Sequence, residues 1–366
     1  VKVGTRVVTH PDGRLNEERI SALAEELHDV RQSGRKVVLV SSGAVGAGMG
    51  RLGLKQRPTD LAELQAVASI GQSLLVEAYD EQFRRFGDVA AQILLTADVI
   101  ENRVSYLNAR NTLLALIERR IVPVVNENDA VATEEIRVGD NDNLSALVAN
   151  LVEAEILILL TDTAGLYTAD PRLHPEAELI PEVPRIDADT YRLAGGSRSG
   201  LGTGGMQTKV QAAMLATRGG ADVVVAGGDV EDVLLRLAGG ERLGTFFPAG
   251  GDRLEGRKRW ILADTAPEGT LTVDAGAVHA LLHEGGSLLA VGIVAVEAHF
   301  ERGATVRIVG PQGREIARGV TNYSADELAL IKGHQSREIE KRLGYAYGGE
   351  VVHRDNMVVL ARDADG

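Results

Sequence analysis

The chain has 366 residues, 44% hydrophobic and 25% charged, an ordinary globular balance with enough apolar material for a full-sized catalytic domain and a smaller second one. Its formal net charge of −13 argues against nucleic acid or a membrane surface as the main partner, since both are negatively charged. The lack of cysteine excludes disulfides, thiolate catalysis and cysteine-type zinc sites, and with no 18-residue apolar run or visible signal peptide a cytoplasmic location is expected.

Val1-Lys2-Val3-Gly4 opens without Met and partway through a strand, so further residues are expected to precede it. The spacing of Ile20, Leu23, Leu27 and Val30 predicts a helix ended by Gly34. A second helix is read through Leu107, Leu113, Leu114 and Ile117. Short β-branched runs at 37–40, 93–95, 122–125, 156–160 and 223–225 read as buried strands. Their alternation with helices predicts an α/β domain over residues 1–249 with a mostly parallel, centrally buried sheet. Scarce aromatics leave its core to Val, Leu, Ile and Ala.

Residues 250–267, rich in Gly, Arg and charge, read as a linker. Beyond it, runs at 271–273, 293–296, 305–309 and 316–320, with one helix around Ala277 to Leu282, predict a compact β-rich domain over 268–356. Residues 357–366 read as a tail.

Four segments carry candidate chemistry: Lys2 to Thr5, Ser41 to Gly48, Asn126 to Asp129 with Gly139 to Asn143 behind it, and Gly200 to Lys209. Each follows a predicted strand or opens a helix, and in a parallel α/β sheet the carboxyl edge is where ligands bind. Glycine permits close backbone approach, so that successive N–H groups converge on phosphate oxygens, and a helix N-terminus adds partial positive charge. Only 7 of the 39 basic residues are Lys, so Lys2 and Lys209 inside such loops stand out. Taken singly, each segment has a plainer reading. A Gly-rich loop is often only a tight turn, Lys2 is compatible with a strand-edge lysine, and Asp140 and Asp142 are compatible with capping a helix predicted from Leu144. What favours a site is that one sheet rim would gather all four. Residues 48–53 and 200–205 match G-x-G-x-x-G, but neither joins strand to helix in a tight turn, and the run to Lys209 lacks Walker A spacing, so dinucleotide and P-loop readings are set aside.

Together these stretches resemble the amino acid kinase family. The resemblance is carried by Lys-x-Gly-Thr at the start, Val-Ser-Ser-Gly-Ala-Val-Gly-Ala-Gly, Asn-Glu-Asn-Asp-Ala-Val-Ala-Thr, Val-Gly-Asp-Asn-Asp-Asn-Leu-Ser-Ala, Leu-Thr-Asp-Thr-Ala-Gly-Leu-Tyr-Thr-Ala-Asp-Pro and Gly-Thr-Gly-Gly-Met-Gln-Thr-Lys. Thr272 to Ala277, Ser287 to Leu289 and Ala317 to Gly319 are similar to a PUA domain. The resemblance implies a three-layer sandwich with a mostly parallel central sheet plus a small β-rich PUA domain. The Asn-Glu-Asn-Asp and Gly-Asp-Asn-Asp-Asn pair points to the branch that phosphorylates the γ-carboxylate of L-glutamate, using ATP and Mg²⁺, at the first step of proline synthesis. Acetylglutamate kinases and other relatives lack that pair and the appended domain.

Carried over by position, the resemblance implies that Lys2 and Lys209 neutralise the phosphoryl group in flight while Asp142 holds them. It places Ser42, Gly43, Asp129 and Asn141 on glutamate. It places Lys2, Gly4, Thr161, Asp162, Thr203, Gly204, Gly205, Met206, Gln207, Thr208 and Lys209 on ATP, and assigns no direct metal ligand. A carboxylate with a pKa near ~4.3 is already ionised, so the reaction needs no general base, and the lack of a candidate His fits. The resemblance further implies feedback inhibition by proline, hand-over of the acyl phosphate to a glutamyl phosphate reductase, and a homo-oligomer. RNA is disfavoured as a ligand of the second domain, because residues 268–355 carry 9 Arg plus Lys against 12 Asp plus Glu, with no basic cluster interleaved with aromatics.

Overall fold

Side chains that alternate along a strand emerge on opposite faces of its sheet. In β5 (Ile156–Thr161), Leu157 and Leu159 enter one apolar cluster while Ile158 and Leu160 enter another. In β6 (Asp222–Gly227), Val223 and Val225 divide in the same way from Val224 and Ala226. The sheet is therefore buried on both faces, as the near-continuous apolar runs imply. The computed structural model describes residues 1–96, 99, 102–132, 141–195, 205–250 and 267–360. These fall into two units: one holds the described residues up to Asn102 and from Asn108 to 250, the other holds Arg103–Leu107 and the described residues from 267 on.

The first sheet has seven strands in the order β3–β4–β2–β1–β5–β6–β7. The strands are β1 (Lys2–Val3), β2 (Leu39–Ser41), β3 (Ala90–Leu95), β4 (Val122–Glu127), β5, β6 and β7 (Thr245–Phe247). All neighbours pair parallel except β6 and β7. The helices α1 (Thr5–Val8), α2 (Glu17–Gln32), α3 (Ala44–Leu52), α4 (Leu61–Arg85) and α9 (Val233–Ala238) supply one apolar cluster. Those supplying the other are α6 (Asn141–Leu151), α7 (Ala188–Ala194) and α8 (Met206–Arg218). This is a three-layer arrangement. The helix α5 (Arg103–Glu118) follows β3.

Several predicted bounds move. The helix expected through Ile20 spans α2, with Asn16 accepting from the Arg19 N–H at 3.0 Å and Gly34 at φ +88° beyond its end. The strand expected at 37–40 is β2, shifted to Leu39–Ser41, because β1 has two residues and pairs only with Val40 and Ser41. The helix expected at Leu144 begins at Asn141, which puts Asn141 and Asp142 in its first turn.

The 25-residue α4 was not anticipated, because Gly71 and Gln72 interrupt its apolar stripe of Val67, Ala68, Leu75, Tyr79 and Phe83. Gly71 is there for contact. A Cβ on it would lie 1.7 Å from the Ala44 carbonyl oxygen, and one on Gly48 would lie 2.0 Å from that of Val67. Gly48 of α3 thus serves close helix packing, whereas Gly43 and Gly53, which flank α3 at φ +116° and +68°, take left-handed backbone that favours glycine. Gly71→Ala is expected to destabilise the protein by at least about 1–3 kcal/mol, the usual range for overpacking, and a urea-unfolding midpoint equal to the parent's would contradict it.

The second unit has its own core, including Leu271, Val306, Ile308, Tyr323 and Leu328. The expected strands appear as β8 (Gly269–Val273), β10 (Ile293–Glu297), β11 (Thr305–Val309) and β12 (Glu315–Val320), with α10 (Ala275–His283) after β8. A pair β9 (Leu288–Leu289) and β13 (Glu350–Val352) forms a second small sheet. Two readings are corrected. The single helix becomes three, adding α11 (Ala325–Ile331) and α12 (Ile339–Leu343); the first is announced by a capping box of Ser324 and Glu327. The supposed tail begins with a strand, β14 (Met357–Val359), which pairs with β12 and completes the sheet β10–β8–β11–β12–β14. Most of the supposed linker, and residues 361–366, lie outside the described residues.

No helix among the described residues is long and apolar enough to cross a membrane.

Candidate active site

The strand order reverses direction around β1: one side of it holds β2, β4 and the edge strand β3, and the chain then crosses to its other side with β5. Ligands of parallel α/β sheets bind outside the carboxyl ends of the strands at such a point. Lys2 stands in β1, paired with Val40 on one side and Leu159 on the other, so the centre of the sheet fixes its backbone. Gly4 follows, its N–H donating to the Leu160 carbonyl at 3.1 Å.

Asp142 is fully buried and receives three donors. Lys2 Nζ donates to Oδ1 at 2.6 Å, and Lys209 Nζ and Thr208 Oγ1 donate to Oδ2 at 3.1 and 2.7 Å. Thr208 Oγ1 also lies 2.8 Å from the Gly205 carbonyl, and its bond to Asp142 ties the first turn of α8 to that of α6. Burial works to raise the Asp142 pKa, but the two ammonium groups and the hydrogen bonds from Lys2 and Thr208 outweigh it and hold the carboxyl well below the usual range. Its position at a helix N-terminus favours the same anionic state. With two ammonium groups around one carboxylate, the cluster carries a net charge of +1 in an acidic chain.

Beside it lies a chain of amides. Asn141 Nδ2 donates to Asn126 Oδ1 at 2.6 Å, with Ser42 Oγ at 3.0 Å and the Ser41 carbonyl at 3.2 Å. Asn126 Nδ2 donates to Gln72 Oε1 at 2.6 Å. Ser42 follows β2, its N–H donating to the Val3 carbonyl at 3.0 Å, and Gly43 opens α3. Asp129 lies half-buried on the turn after β4; burial raises its pKa, opposed only in part by the charge of Arg57.

On the other side of β1, Thr161 ends β5 and donates to Asp162 Oδ1 at 3.2 Å. Burial raises the Asp162 pKa, but the Arg6 guanidinium, 2.7 Å from Oδ2, and Thr161 outweigh it and lower it. Gly205 caps α8, and Met206, Gln207, Thr208 and Lys209 form its first turn and the next position. Thr203 and Gly204, like Asp140 and the glycines at 200 and 202, lie outside the described residues.

The structure thus brings Lys2 and Lys209 onto the Asp142 carboxylate, with Asn141 next to it in α6 and Ser42, just past β2, bonded to Asn141. The sequence reading missed Gln72, Arg6 and Arg57, and named Asn126 only as part of a motif. Nothing in single-residue chemistry marks Gln72; its signal is a buried polar residue inside an otherwise apolar helical stripe. Among the described residues no group of three or more His, Asp or Glu side chains is arranged to hold a metal.

A cationic cluster at the carboxyl edge of a parallel sheet is the arrangement of an α/β enzyme that handles phosphate. The chain belongs to the amino acid kinase family, whose model matches residues 1–227, with a PUA domain matching residues 269–343. It is 53% identical to a glutamate 5-kinase of Deinococcus radiodurans over 360 residues, 98% of this chain and 99% of that protein. It is 52% identical to a glutamate 5-kinase of Herpetosiphon aurantiacus, covering 98% and 97%. A UMP kinase structure from Bacillus anthracis aligns with a TM-score of 0.47 and 16% identity over 68% of this chain and 95% of that one.

Proposed function

We infer that the chain transfers the γ-phosphoryl group of ATP to the γ-carboxylate of L-glutamate, forming γ-glutamyl phosphate at the first step of proline synthesis. The observation that carries this reading is the pairing of Lys2 and Lys209 on the buried Asp142. An ionised carboxylate attacks without a general base, so the task is to bring one anion against another. Two preplaced ammonium groups stabilise charge that moves onto the transferring oxygens, and Asp142 keeps them oriented without spending its charge on the phosphate. Relatives at about half identity over nearly the whole chain, named as glutamate 5-kinases, support the choice of acceptor.

Ser42, Gly43, Asn141 and Asp129 bind glutamate in this reading. Asp129 takes the ammonium group, Ser42 Oγ donates to the carboxylate beside it, and Asn141 accepts from a substrate N–H through its Oδ1. Gly4, Thr161, Asp162 and the stretch from Thr203 to Lys209 hold ATP, with the N–H groups that open α8 facing phosphate. Magnesium usually rides on nucleotide phosphates and water, so it needs no all-protein cage; both oxygens of Asp142 are already occupied by Lys2, Lys209 and Thr208. When bound, it neutralises phosphate charge.

The product is a labile acyl phosphate, which favours direct hand-over to a reductase. Inhibition by proline, a homo-oligomeric state, a cytoplasmic location, and a regulatory or structural rather than RNA-binding second domain over 268–356 complete the reading. ATP consumption measured across glutamate, acetylglutamate, aspartate and UMP tests it; turnover with another acceptor and not with glutamate would overturn it.

Asp129→Ala is expected to raise the glutamate KM about 10- to 100-fold, the loss of one charge-assisted contact, with the ATP KM little changed. A shifted ATP KM with an unchanged glutamate KM would mean the two pockets are inverted. The raised pKa of Asp129 also has a sign. As pH falls, the carboxylate protonates earlier than an ordinary Asp, near ~3.9, and the substrate ammonium loses its partner. The acid limb of kcat/KM for glutamate should begin above that value and move in Asp129→Asn.

A further inference from the structure

Asn141 Nδ2 carries two N–H bonds but faces three acceptors: Asn126 Oδ1 at 2.6 Å, Ser42 Oγ at 3.0 Å and the Ser41 carbonyl at 3.2 Å. The shortest contact, to Asn126, depends on Asn126 presenting its oxygen rather than its nitrogen. An amide has two orientations of nearly equal shape, and its hydrogen-bond partners select between them. The Ser41 carbonyl only accepts, so the atom of Asn141 beside it is nitrogen. The Asn126 atom facing that nitrogen is then oxygen, and Asn126 Nδ2 is left to find an acceptor. Gln72 Oε1 is that acceptor, at 2.6 Å.

Gln72 is 8% exposed, in the middle of α4, and its Nε2 is buried with no hydrogen-bond partner among the described residues. Leaving such a donor unmade is costly, so the position retains an amide for its oxygen. Were Asn126 to flip, two NH₂ groups would oppose each other, and Asn141 would lose its shortest contact.

The geometry points to Gln72 as a positioning residue for the acceptor site: by accepting from Asn126 Nδ2 it keeps the Asn126 oxygen on Asn141 and so holds Asn141 as the amino-acid substrate meets it. The inference rests on the reading of Asn141 and Ser42 as glutamate-binding. With the relay set, Ser42 Oγ accepts from Asn141, so its own proton is free for a substrate carboxylate. Asn141 Oδ1 is correspondingly turned away from the relay as an acceptor for a substrate N–H. The selectivity for an amino acid, with an acceptor and a donor side by side, then depends on a glutamine that need not touch the substrate.

The test compares Gln72→Met, which keeps length and burial but removes the acceptor, with Gln72→Glu, which keeps an oxygen for Asn126 and puts the second oxygen of a carboxyl group where the unpartnered nitrogen stands. Both are also combined with Asn126→Ala, and glutamate KM, ATP KM and kcat are measured for each. Gln72→Met is expected to raise the glutamate KM about tenfold, the effect of one hydrogen bond, with the ATP KM within twofold. Gln72→Glu is expected to recover most of that loss. In the Asn126→Ala background, Gln72→Met should add less than twofold, since its effect passes through Asn126. An unchanged glutamate KM in Gln72→Met, equal shifts in both KM values, a Gln72→Glu variant as impaired as Gln72→Met, or full additivity with Asn126→Ala would each overturn the inference. If Gln72→Met does not fold, the Gln72→Glu and Asn126→Ala single and double variants still decide: Gln72→Glu must stay near the parent's glutamate KM. Parental turnover with glutamate is measured first. Its absence defeats the functional reading itself, whereas its presence with any of those four results defeats only the role of Gln72.

Discussion

Asp142→Asn is expected to destabilise the protein by about 3–5 kcal/mol and to abolish most turnover. The carboxylate is fully buried with an ammonium group on each oxygen. Removing its charge leaves Lys2 and Lys209 buried beside each other with no anion between them, and breaking a buried pair from one side costs more than the pair contributes. The pH dependence has a definite sign. The folded pKa of Asp142 lies below its unfolded value near ~3.9, so its contribution is complete above that value and is lost as pH falls through the folded one. Urea unfolding of the parent and variant should therefore differ fully at neutral pH and converge only in strong acid. A variant with the parent's midpoint and kcat would show that neither lysine needs the carboxylate.

Lys209→Ala is expected to lower kcat by about 10²–10³-fold, the effect of removing one preorganised positive donor from a site of charge transfer. The fold should survive, because Asp142 keeps Lys2 and Thr208 and its remaining oxygen contact is satisfied. The glutamate KM should move little, since the proposed function assigns Lys209 to ATP. Near-normal turnover would remove Lys209 from the mechanism. A collapsed structure would instead assign it a purely structural role, and circular dichroism of the purified variant separates the two.

The motifs that carry the site were legible because their chemistry is local. Lys2, Gly43, Asn141 and Lys209 each sit at a strand end or helix start that the pattern of apolar residues already locates. That Lys2 and Lys209 meet on Asp142 follows from the parallel order of β2, β1 and β5, which turns sequence-distant loops toward one rim. What could not be read is what depends on contact between distant elements. The helix α4 escaped because Gly71 and Gln72 break its stripe, the first for a close crossing with α3 and the second to meet Asn126. Arg6 looks like any exposed basic residue until it is seen 2.7 Å from Asp162. In the second unit, residues 357–359 read as part of a tail because three residues are too few for a periodicity to declare itself; only pairing with β12 makes them the strand β14.

Asn141 and Asp142 are consecutive residues on the first turn of α6, one joined to the amide chain and the other to the lysines. In the proposed reading, one helix turn therefore sets both where the acceptor lies and where the ammonium groups that stabilise the transferring phosphoryl group are held. Any effector that pushed this turn aside, even slightly, would spoil both substrates' alignment together, so inhibition acting through it should appear in kcat and in acceptor affinity at once rather than as simple competition.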